Sequence, residues 1–159
     1  MTRYEKMHLL YSENCKIIDF LPRRVTADSG DFFQEVEDYF LEDKQLQVFC
    51  RKATSIVLKL LCYYPFEIYV QETLPVKRQR EGWLKDKRCE TIVKILRKVI
   101  LKKQGQIDIL LGKGNSMISI SGGLLSLAVY NMNPSLQTLL DRLVETEGLY
   151  WMSETGQFL

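Results

Sequence analysis

His8 is the single histidine of this 159-residue chain, and Cys15 is the cysteine nearest to it in sequence. A thiol beside an imidazole is the start of nucleophilic catalysis, because the base removes the thiol proton and leaves a thiolate. Such a pair needs a third group to orient the imidazole, and none can be named here. No G-x-S-x-G elbow offers a serine alternative. His8 is therefore expected to be an ordinary satisfied or exposed histidine. Cys15, Cys50, Cys62 and Cys89 are spaced by 35, 12 and 27 positions, with no Cys-x-x-Cys. A helix carrying both Cys50 and Cys62 would hold them about 18 Å apart at 1.5 Å per residue, too far for a shared zinc or a disulfide. With one histidine, no zinc-ligand spacing can be assembled. The cysteines are expected to be reduced and mostly small core residues. Gly112-Lys113-Gly114-Asn115-Ser116 has a superficial likeness to a phosphate loop. That loop requires G-x-x-x-x-G-K-[ST] between a strand and a helix. Here the segment falls between two predicted strands and reads as a hairpin turn. Asp108 shares a strand face with Gln106, but no second carboxylate in a distinguishable environment completes an acid–base pair. The residues thus predict no catalytic constellation, no metal and no cofactor, and a protein that is not an enzyme.

The charges are more informative than the nucleophiles. The net charge is only +2, but residues 28–47 hold seven acids against Lys44 alone, and residues 75–103 hold eleven bases against three acids. Segregation of this kind creates opposed surface potentials, which concern partners. Asp31, Asp38 and Glu42 fall on one stripe of a predicted helix and are candidates for contact with a basic protein surface. Lys87, Lys94, Lys98 and Lys102 form the alternative face, suited to phosphates. No helix-turn-helix or RNP-like motif accompanies these lysines.

The elements that must carry these residues follow from periodicity. MHLLYS (7–12) and KIIDFL (16–21) are short apolar runs around Glu13-Asn14-Cys15 and predict a hairpin. Pro22 breaks the pattern, and RRVTADSG reads as a loop. Ser29 is a candidate N-cap. After it, Phe32, Phe33, Val36, Tyr39 and Phe40 define an apolar docking face, with Asp31, Asp38 and Glu42 opposite. A helix over 45–64 is marked by Leu46, Phe49, Ala53, Ile56, Val57, Leu60 and Tyr64, and Pro65 ends it. FEIYVQ (66–71) alternates as a half-buried strand, with Tyr69 outward. TLPVKRQREGW reads as a loop. A helix over about 84–103 follows, with Cys89, Ile92, Val93, Leu96, Val99 and Ile100 inward and Gly105 as its stop. Ile107, Ile109 and Leu111, then Ile118 and Ile120, then Leu125, Leu127 and Val129 alternate as a three-stranded meander. Gly122-Gly123 predicts a two-residue turn with positive φ at both positions. Asn133-Pro134 opens a last helix, Gly148 closes it, and LYWM is expected to return as a short strand.

The run ISGGLLSLAVYN (120–131) followed by LQTLLDRLVETEGLYW (136–151) resembles the C-terminal half of small bacterial immunity proteins of contact-dependent growth inhibition or polymorphic toxin systems. They share a glycine-turn hairpin, a short amphipathic helix and an aromatic final strand. The resemblance implies a cognate toxin domain as partner, occluded sterically and electrostatically, and no catalysis. Many such proteins are acidic, whereas this chain carries net +2. The contact face therefore stays open between the acidic helix and the basic 77–103 segment. The alternative function is nucleic-acid binding through that segment.

Hydrophobic residues make up 46% and charged residues 26%, which excludes a disordered chain and a coiled-coil rod. No window approaches a membrane helix, and the first residues lack a secretory pattern, so a cytoplasmic location is expected. The expected architecture is a single α+β domain over 1–159. Its antiparallel sheet combines the meander at 106–130 with additional strands, and its helices pack mainly on one face.

Overall fold

The computed structural model describes residues 1–26, 30–72 and 80–152; the side chains of residues 30, 31, 72, 80 and 81 lie outside the description. The candidate cap Ser29 and residues 73–79 of the basic loop are therefore outside the described residues. Helices are α1 (Arg3–Leu10), α2 (Gly30–Phe40), α3 (Asp43–Leu61), α4 (Cys89–Lys102) and α5 (Pro134–Thr146). Strands are β1 (Cys15–Asp19), β2 (Phe66–Glu72), β3 (Arg80–Trp83), β4 (Gln106–Leu111), β5 (Ser116–Ser121), β6 (Ser126–Tyr130) and β7 (Tyr150–Trp151). The strands form one antiparallel sheet in the order β3-β2-β4-β5-β6-β1-β7. The α+β architecture is that expected from the sequence.

One face of the sheet carries the main core. Ile18, Ile68, Val70, Ile107, Ile109, Ile118, Ile120, Leu127 and Val129 meet Leu46, Phe49, Ala53, Ile56, Val57 and Leu60 of α3, together with the inward rows of α4 and α5. Each such Val, Leu, Ile or Phe side chain contributes about 1.5–3 kcal/mol on full burial. Asn133 accepts from the Leu136 amide at 2.9 Å, and Pro134 occupies the first position of α5. The chain then returns as β7, where Trp151 pairs with Ile18.

The opposite face holds a second, smaller cluster, and it corrects the reading of the N-terminal segment. Residues 3–10 are a helix rather than the first strand of a hairpin. Thr2 caps it by accepting from the Glu5 amide, and Glu5 accepts from the Thr2 amide in return. That reciprocal arrangement satisfies two otherwise orphan donors. Met7 and Leu10 then cover Tyr69, Leu110 and Met117, so Tyr69 is buried rather than outward. The second expected strand is real, but its partners are β6 and β7.

Three further local differences have clear causes. Residues 80–83 are not loop: Trp83 pairs with Tyr69 and stacks against it edge-on at 5.1 Å. The β5–β6 connection runs from Gly122 to Leu125, so it is longer than a two-residue turn. Within it only Gly123 takes positive φ, at 85°. Gly122 serves close approach instead, since a Cβ there would lie 2.2 Å from the Gln104 nitrogen. Finally, only Cys50 is buried; Cys15 is half-buried, and Cys62 and Cys89 are exposed.

Candidate binding surface

Helix α2 is held to the body by a narrow side. Phe33, Val36, Glu37 and Phe40 are half-buried, and none of its described side chains is fully buried. Phe40 stacks on Phe20, beyond the end of β1, at 5.4 Å. Helical spacing of 33, 36, 37 and 40 defines the docked side. Phe32 and Tyr39, seven residues apart, are turned away from it and are 72% and 50% exposed. This corrects the sequence-based docking face, which included both. The acids flank the aromatic pair rather than opposing it. Asp38 is exposed and accepts from the Gln34 amide at 2.9 Å. Glu42 is exposed at the start of α3, where its side chain makes no cap bond. Glu35 is exposed as well. Asp31 lies in the first turn of α2, and its side chain is outside the described part.

A cleft of about 270 Å³ opens beside α2 and includes Asp19, Arg23, Phe33, Glu37 and Leu124. Burial raises the Asp19 carboxyl above its usual range. Amide donors from Leu21 and Phe20 oppose that shift, and the Glu37 charge adds to it.

The alternative basic face is only partly gathered. Lys87 is drawn to Glu67 at 2.9 Å and donates to the Phe66 carbonyl at 3.0 Å. Arg3 reaches the same carboxylate at 3.0 Å. Lys94 and Lys102 are exposed on the outer side of α4, with a half-buried Lys98 between them. Arg88 is also occupied: Asp86 accepts from its guanidinium at 2.8–3.1 Å. Those bonds, with one from the Thr91 hydroxyl, hold the Asp86 carboxyl well below its usual range.

His8 and Cys15 have other partners. His8 is exposed and lies against Tyr4, with ring centroids 4.3 Å apart, and against Tyr11 at 6.2 Å. Cys15 donates its thiol to the Lys16 carbonyl at 4.0 Å. Among the described residues no three His, Cys, Asp or Glu side chains converge as metal ligands would.

Sequence reasoning missed a polar cluster beneath α1. Asp108 is 1% exposed. The Gln106 amide nitrogen lies 2.7 Å from the Tyr11 hydroxyl, 3.1 Å from Asp108 Oδ1 and 3.2 Å from Ser119 Oγ. Burial lifts the Tyr11 phenol above its usual value, and the hydrogen bond to Asp108 and the charge of that carboxylate add to the effect. Strand alternation had placed Gln106 and Asp108 together. In the fold Asp108 is buried and Gln106 half-buried, where the Tyr11 hydroxyl, just past the end of α1, meets the Gln106 amide.

Among the described residues no helix is long and apolar enough to cross a membrane. Comparison with known proteins finds no family model, no curated protein and no solved structure that matches this chain.

Proposed function

We propose that the chain is a non-catalytic binding protein of the immunity type, which occludes a cognate toxin domain in the cytoplasm. The observation that carries this reading is α2: Phe32 and Tyr39 stand exposed beside Glu35 and Asp38 on a helix with no fully buried described side chain, and Glu42, exposed at the start of α3, follows just beyond its end. Aromatic side chains give an interface large contact area at its centre, while rim charges steer a partner of opposite sign. A toxin that handles nucleic acid presents a cationic groove, the complement of this stripe. The exposed thiols of Cys62 and Cys89 fit a reducing compartment.

Growth rescue tests the reading, using the toxin domain encoded beside this chain's gene. The wild-type chain should restore growth. Phe32→Ala with Tyr39→Ala should lose rescue while the fold is retained, because both side chains are already exposed. Asp31→Lys, Asp38→Lys and Glu42→Lys together should slow association and weaken its dependence on salt. Full rescue by both variants, with rescue lost on reversing Lys94, Lys98 and Lys102, would move the contact to α4. Failure of the wild-type chain to restore growth would favour the second reading, nucleic-acid binding, which draws on the outward lysines of α4.

A further inference from the structure

The outer sides of α3 and α4 enclose a groove of about 490 Å³, within the range of about 300–1,000 Å³ common for small-ligand sites. Lys44 and Arg51 enter it from α3 and Arg97 enters it from α4; no Asp or Glu lines it. All three cations are exposed. Among the described residues none of the ion pairs involves them. Gln47, Thr54 and Ser55 add neutral donors. The thiol of Cys50, also at the groove, is raised by burial, while a hydrogen bond with Thr54 and the Arg97 charge pull it the other way.

We propose that this groove binds a small molecule carrying two or more phosphate groups. Guanidinium groups match phosphate oxygens with paired donors. Arg51 and Arg97 supply two such forks from facing helices, Lys44 supplies a point charge, and Val48, Leu58 and Val93 offer an apolar strip to the organic part. The site goes beyond the α2 reading and uses none of its residues. A single-stranded nucleic acid is the poorer fit. Its bases stack on aromatic side chains, and no aromatic residue lines the groove.

Titration calorimetry at about 0.15 M salt tests the proposal, with inorganic tripolyphosphate and ATP as probes. Both should bind saturably at one site. Arg51→Gln and Arg97→Gln should each weaken binding about tenfold or more, and together should abolish it. Arg51→Lys and Arg97→Lys keep the charge but lose the paired donors, so they should weaken it less. Melting by circular dichroism should be unchanged in all four variants, since both arginines are exposed. Lys16→Gln with Lys113→Gln removes the same charge elsewhere, at exposed positions of neither proposed surface, and should leave affinity intact. No saturable binding of either probe overturns the site. So does an equal loss in the Lys16/Lys113 control, which would mean diffuse attraction. A U-rich RNA oligonucleotide that binds more tightly than ATP, and is lost in the same arginine variants, replaces the small molecule with a nucleic acid.

Discussion

At the residue scale, the paired glycines separate two uses of a missing side chain. Gly123 needs positive φ, and its added Cβ would meet only Lys103 at ordinary distance. Gly122 needs space, because its Cβ would fall onto the Lys103–Gln104 backbone. Gly123→Ala should therefore cost about 1–2 kcal/mol, the left-handed backbone alone. Gly122→Ala should cost about 3 kcal/mol or more, since backbone must move. Denaturant unfolding of the two single variants checks the order. Tyr11 makes a second residue-scale prediction. Its phenol titrates above the ordinary value in the folded chain, so the native state binds more protons than the unfolded state once the latter ionises. Stability is then full below about pH 10 and falls as pH rises through the folded value. Tyr11→Phe should lower stability near neutrality by about 1 kcal/mol through the lost hydrogen bond. It should also flatten the alkaline decline above about pH 10. An unflattened decline in chemical unfolding across that range would remove Tyr11 from the account.

At the element scale, α1 shows how a short helix is stabilised from both ends of the length scale. Thr2 and Glu5 close its first turn locally, and Met7 and Leu10 anchor it to the second face of the sheet. An isolated helix this short is marginal in water. Thr2→Ala should cost about 1 kcal/mol. Hydrogen exchange should place that loss in the amides of residues 3–10, with α3 unchanged. The T-x-x-E capping signature was present in the sequence. Reading residues 7–12 as an apolar run hid it, because a run this short does not distinguish strand from helix. Strand β3 was hidden differently: Arg-Glu-Gly-Trp has no alternation of its own, and it is a strand because Trp83 finds Tyr69 across the ladder.

At the scale of the whole molecule, α3 is the central support. It lies on the sheet and between α4 and α5, and α2 rests against it. Ala53 is fully buried midway along it, within the main core. Ala53→Leu should cost about 1–3 kcal/mol by overpacking. A lowered melting midpoint with the same cooperativity would fit this; an unchanged midpoint would mean that the layers are less tightly packed than they stand here.

The sequence by itself determined the elements whose pattern repeats: the apolar rows of α3, α4 and α5, the alternation of β2 and of the β4–β6 meander, the caps at Asn133 and Gly148, and the separation of acidic from basic segments. Periodicity is a local property, so the chain states it without reference to its fold. Tertiary structure alone decided what covers what. It placed α1 over Tyr69, Leu110 and Met117, tied Lys87 to Glu67 and turned Phe32 and Tyr39 outward. It also brought Arg51 and Arg97 into one groove from helices far apart in sequence. Those outcomes depend on contacts across the chain, and an amphipathic pattern records only that a face is apolar, not which surface it meets or whether that surface is wide enough to cover it.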